Sequence, residues 1–127
     1  MATPAAQFLG TWRIVSMELW DRDYLDLEGP AHIKFDKDRL GSFHFGAVRG
    51  WTDYRIADVG GAPRVEFSWE GTNDSDPSSG RGWAAIADDQ LVGRLFFHNG
   101  DDSAFVAERT GGPTRKGRPG RAVSDDR

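Results

Sequence analysis

Arg64-Val65-Glu66-Phe67-Ser68-Trp69-Glu70 alternates without a break, with Val65, Phe67 and Trp69 on one side and Glu66, Ser68 and Glu70 on the other. Successive side chains of an extended strand point to opposite faces, so this stretch predicts a half-buried β-strand with its large apolar residues inward. Gly60-Gly61-Ala62-Pro63 before it reads as a turn. Thr72–Gly80 (TNDSDPSSG) after it has the composition of a mobile loop. Outward from there the same period recurs in Thr11–Trp20, Ala31–Phe35, Gly41–Val48, Gly50–Ala57, Arg81–Ala87, Leu91–His98 and Ser103–Arg109. Asn99-Gly100, between the last two runs, is a strong hairpin signal because both residues accept positive φ. Only residues 3–9 read otherwise, as a helical turn capped by Thr3, begun at Pro4 and stopped by Gly10.

The sequence therefore predicts eight short strands joined mostly by short links, and short sequential links imply antiparallel neighbours. A twisted eight-strand meander either leaves two open edges or closes, and closure removes both edges. The expected fold is all-β, an eight-stranded antiparallel up-and-down barrel with a short N-terminal helical turn; a β-sandwich is the alternative. Glycines read inside strands (Gly46, Gly82 and Gly93) suit tightly coiled barrel strands. Residues 1–109 form the expected barrel, and residues 110–127 a basic Gly/Pro/Arg-rich flexible tail.

Composition narrows the function classes. The net charge is −4, and the five basic against two acidic residues from Thr110 onward (+3) leave −7 on residues 1–109. An acidic body of this kind predicts no nucleic-acid partner. No run of about 20 apolar residues exists, so no membrane-spanning helix is expected. The chain has no cysteine, which removes disulfides, thiol catalysis and Cys-based metal sites. Its start carries no basic and apolar leader pattern, and the expected location is the cytoplasm.

Gly10-Thr11-Trp12, after a helical turn and at the head of the first strand, resembles the Gly-x-Trp start of the calycin superfamily of lipocalins, fatty-acid-binding proteins and avidins. The resemblance implies that a basic residue late in the last strand lies across that tryptophan and bonds to the N-terminal turn, closing the barrel base. Arg109 matches that position, and Phe105, Ala107 and Arg109 share a strand face as Trp12 and Ile14 do. Gly10, Trp12 and Arg109 are thus the expected barrel-closure residues. The chain departs from the family in its short length, in lacking a C-terminal helix after the barrel, and in lacking a helix-turn-helix lid after the first strand. The resemblance implies a container and names no content.

Arg81 and Arg94 sit in Gly80-Arg81-Gly82-Trp83 and Gly93-Arg94-Leu95-Phe96, each two residues from an aromatic on its own face. A guanidinium there calls for an anion, supplied by a ligand or by a protein carboxylate such as Glu18, Asp53, Glu66 or Glu70. His32, His44 and His98 lie on three separate runs with no HxH or HExxH spacing, so no metal site is expected. No Gly-x-Ser-x-Gly occurs, no catalytic residues are assigned and no cofactor is implied.

The reading the sequence favours is a barrel that binds a small apolar or mixed, optionally anionic, ligand at the mouth opposite the Trp12/Arg109 base. Asp21–Pro30 and Thr72–Gly80 would gate the mouth, with Trp69, Trp83, Arg81, Arg94 and His98 lining it. One alternative is an interaction module, a homodimer included, built on an outer apolar face of Val15, Met17 and Leu19. A second is a small barrel enzyme pairing His98 with Glu18 or Glu70.

Overall fold

The computed structural model describes residues 4–110; the expected cap at Thr3 and the tail from Gly111 lie outside the described residues. A 3-10 turn at Pro4–Phe8 leads into β1 (Gly10–Met17), followed by α1 (Arg22–Leu25), β2 (His32–Phe35), β3 (Leu40–Phe45), β4 (Val48–Val59), β5 (Ala62–Asn73), β6 (Asp76–Ala87), β7 (Gln90–Phe97) and β8 (Asp102–Arg109). Each strand pairs antiparallel with the next, and β8 returns to β1, so the sheet is a closed eight-stranded up-and-down barrel. The expected fold class is the observed one.

Three expectations about the turns are corrected. Thr72–Gly80 is no loop: β5 and β6 run on as an extended hairpin that reverses at Asp74-Ser75, with φ of 52° and 75°. Polar residues on an arm that projects past the core look like a loop in composition, although their backbone pairs throughout. Asp88-Asp89 and Gly60-Gly61 reverse the same way, with both residues at positive φ, and Asp tolerates that conformation by short local hydrogen bonding. At Asn99-Gly100 the turn is wider, spanning residues 98–101, and of its two marker residues only Asn99 has positive φ. Gly46, read inside a strand, sits instead in the turn between β3 and β4 at φ 54°.

The face assignments hold for β5 and fail in the second half of β1. The β1–β8 register slips between Ile14 and Ser16, so two β1 residues oppose Val106 alone. This bulge reverses the alternation. Met17, expected outside with Val15 and Leu19, is therefore buried in the core.

The interior is filled by rings. Phe43 meets Trp69 edge-on at 5.0 Å, Trp69 meets Phe97 at 5.3 Å, and Phe35 contacts both Tyr54 (5.2 Å) and Phe67 (6.3 Å). Burial, with Asp36 and Asp38 nearby, raises the Tyr54 pKa, so the phenol stays neutral and donates to the Asp36 carbonyl. Rings this large need empty positions facing them. A Cβ on Gly82 would stand 2.3 Å from the Phe67 ring, and one on Gly50 2.4 Å from Phe43. These in-strand glycines are set by space rather than by bending.

At the base, β1, β8 and the N-terminal turn meet. Trp12 and Arg109 are cross-strand partners, and the Arg109 guanidinium lies 4.1 Å from the indole centroid. Its two terminal nitrogens donate to the Leu9 and Gln7 carbonyls at 2.6 Å each, and the Trp12 indole N–H donates to the Phe8 carbonyl at 3.0 Å. One side chain thus ties β8, β1 and the N-terminal turn together. Arg109→Ala removes the stacking and both charge-assisted bonds, and is expected to cost about 2–3 kcal/mol. Arg109→Lys, which lacks the planar fork, should recover only part of that. Urea unfolding midpoints of the two variants against the parent check this order.

Candidate functional site

The opposite mouth carries a cap. Trp20, beyond the end of β1, packs on Phe45 at 5.1 Å and on Phe97 at 6.0 Å, and Tyr24 of α1 stacks on Trp20 at 6.2 Å. Asp21 caps α1 by accepting from the Tyr24 amide. The Gly46 amide donates to the Leu25 carbonyl and the Ala47 amide to the Tyr24 hydroxyl. A side chain at residue 46 would collide with the Tyr24 ring, since its Cβ would fall 2.1 Å from Cε2. The segment expected to gate the mouth is therefore seated on it.

Of the five residues expected to line that mouth, only Trp69 points inward, where its indole N–H donates to the Phe96 carbonyl. Gly80 and Gly82 are the inward positions of β6, opposite Trp69 and Phe67, which puts Arg81 and Trp83 on the outer wall. Arg94 is also outside, bonded to Asp102 at 2.8 Å and to Glu18 at 3.2 Å; the Asp102 hydrogen bond chiefly raises its pKa. His98 is exposed beyond β7. Among the described residues, no ion pair or hydrogen bond joins its ring to Glu18 or Glu70, and no group of three His, Asp or Glu side chains is placed to hold a metal ion.

What the barrel brings together instead is a groove of about 480 Å³ on the outer wall of β4–β7. Two cross-strand rows build it, Asp53–Ser68–Arg81–Phe96 and Arg55–Glu66–Trp83–Arg94, with Arg94 just past its rim. Arg64 lies 4.8 Å over the Trp83 ring and pairs with Glu66 at 2.6 Å. Arg81 lies 5.5 Å over Phe96. Among the described residues neither Arg81 nor Arg55 has an ion pair or side-chain hydrogen bond. Three arginines against Asp53 and Glu66 give this wall a formal +1 on a chain of net −4. A hollow of about 780 Å³ at the base is larger, but Asp88, Asp89 and Glu108 line it and its one guanidinium is committed to the closure. Outside the groove, the most exposed aromatic on the wall is Trp51 of β4, at 62%.

A second polar cluster lies under the cap segment. Arg13, His32, His44 and Arg49 are successive cross-strand partners on β1 to β4. His44 is nine-tenths buried and its Nε2 has no hydrogen-bond partner. Asp26 holds Arg13 at 2.6 Å, whereas Glu28 stands 3.9 Å from His44 and 3.8 Å from Arg49. The sequence separates the three histidines, yet His32 and His44 are cross-strand partners and His98 lies beyond β7, because register comes only with the assembled sheet.

Comparison of the chain with protein-family models, with curated proteins and with solved structures gives no match.

Burial of the His44 ring, reinforced by Arg49 and His32, lowers its pKa below the ordinary 6.5. A base whose pKa is depressed by folding binds its proton more readily when unfolded. Its contribution to stability is therefore fully present above pH 6.5 and declines as pH falls below that value. Denaturant unfolding between about pH 7.5 and about pH 5 should show this decline in the parent and a shallower one in His44→Phe.

Proposed function

We propose that this protein is a small-molecule-binding barrel of calycin type, and that its ligand is a planar anion held on the outer wall of β4–β7. The observation that carries this reading is the two guanidinium groups without carboxylate partners, Arg55 and Arg81, in a groove that Trp83 and Phe96 also line. A guanidinium fork donates two parallel hydrogen bonds to a carboxylate, sulfonate or phosphate, and an aromatic face takes a flat ring. The closure motif Gly10-Thr11-Trp12 with Arg109 over the indole supports the calycin part of the reading. The inward rings support an outer site, because they occupy the volume a container would keep for its ligand. Binding rather than turnover fits the site, whose acids Asp53 and Glu66 stand on a solvent-exposed wall. A compartment of action in the cytoplasm accords with the acidic, cysteine-free chain.

Two dyes test it. 8-Anilinonaphthalene-1-sulfonate is a planar anion, and Nile red is apolar and uncharged. The sulfonate dye should bind the parent saturably, more weakly at high salt, and about tenfold more weakly to Arg81→Ala and to Trp83→Leu. Nile red should not compete with it. Unchanged sulfonate affinity in both variants, or displacement by Nile red, refutes the outer-wall site.

A further inference from the structure

Independently of that groove, the cross-strand row under the cap points to a second binding site. We infer that Arg13, His32, His44 and Arg49 form a seat for a compact oxyanion, which Glu28 of the cap segment occupies, so that an arriving anion displaces Glu28 and loosens the cap.

Two arginines and two histidines stand in one row across four adjacent strands, and each histidine that gains a proton adds positive charge beside an arginine. The fold supplies two carboxylates to that row, both from the segment between α1 and β2, and it uses them differently. Asp26 is tightly committed, with Oδ2 on Arg13 at 2.6 Å and Oδ1 accepting the Ala31 amide at 3.0 Å. Glu28 stops short of hydrogen-bonding distance from both His44 and Arg49, leaving the buried Nε2 of His44 without a partner. A buried polar atom in that condition is costly, and a better-placed oxygen would relieve it. Glu28 is tethered and half-exposed, so its carboxylate screens the row without satisfying it. A free oxyanion has no tether and carries several acceptors, enough for Nε2 and the Arg49 fork together.

The consequence reaches the cap through a short path. Glu28 lies three residues beyond Leu25, whose carbonyl receives the Gly46 amide, and Gly46 follows His44 by two residues on the β3 side. Displacing Glu28 removes the only acidic contact between the cap segment and β3–β4 among the described residues. The titratable and charged groups facing His44 are His32 on β2, Arg49 on β4 and Glu28 on the cap segment. Protonation puts an N–H on both ring nitrogens, the unpartnered Nε2 included, and so lets the ring donate to an anion there. Anion binding therefore takes up a proton, and affinity rises as pH falls.

Sulfate, which does not titrate in this range, and acetate serve as probes of the tetrahedral and carboxylate classes. Each is titrated into the full chain while amide and histidine-ring NMR shifts are followed, with sodium chloride at matched ionic strength as control. The expected result is saturable movement of the Gly46 and Ala47 amides and of the His44 ring for at least one probe. Binding should strengthen several-fold from about pH 7.5 to about pH 6. Glu28→Gln, an exposed change that leaves the core untouched, should tighten binding several-fold, and Arg49→Gln should abolish it. The tighter of the two probes names the class. Equal shifts with chloride, binding indifferent to Glu28→Gln, or binding retained in Arg49→Gln overturns the proposal.

Discussion

The contact between Arg109 and Trp12 is the constraint on which the rest of this barrel depends. The backbones of β1 and β8 pair from Trp12–Arg109 to Met17–Phe105, and the guanidinium adds to that seam two bonds to the N-terminal turn. One planar cation thereby satisfies two carbonyls and covers an indole whose own N–H is tied back to Phe8. The same pairing puts Trp12 and Ile14 of β1 and Ala107 and Phe105 of β8 in the core.

Closure at eight strands leaves a narrow interior, and this sequence fills it with phenylalanine and tryptophan. Glycine at 50 and 82 is the complement of that choice, since each stands where a neighbouring ring takes the space a side chain would need. The arginines of β4 to β7 accordingly lie on the outside of the wall. Arg81 and Trp83 face solvent because the glycines between and beside them face the rings, and the arginine groove and the basic row are both products of what the core excludes.

Much of the fold was legible because period-two alternation is a direct imprint of a half-buried sheet, and RVEFSWE carries it in pure form. The closure residues were legible through their motif and shared parity. Three things were not. The bulge in β1 has no residue signature, yet one extra residue moved Met17 to the opposite face. The polar arm of the β5–β6 hairpin looked like loop because composition reports exposure, not backbone pairing. For Arg81 and Trp83, alternation shows that they share a face but not which one, and the inward residues of that strand are the glycines beside them. The His32–His44 alignment required the sheet to be assembled before it existed as a pattern.

The seam between β1 and β8 also governs how the chain reaches this state. Every other strand pair joins near neighbours in sequence, so each hairpin can form on its own within microseconds. The bond from Arg109 to Leu9 spans 100 residues, and the entropy of closing so long a chain segment must be met before the seam contributes anything. Topology thus makes this seam the most costly contact of the barrel to close, since both edges stay bare until its distant ends meet. The interval before closure is when the chain is most exposed to pairing with another copy of itself, which makes a fast, strongly held latch at Arg109 as much a safeguard on the path as a strut in the finished barrel.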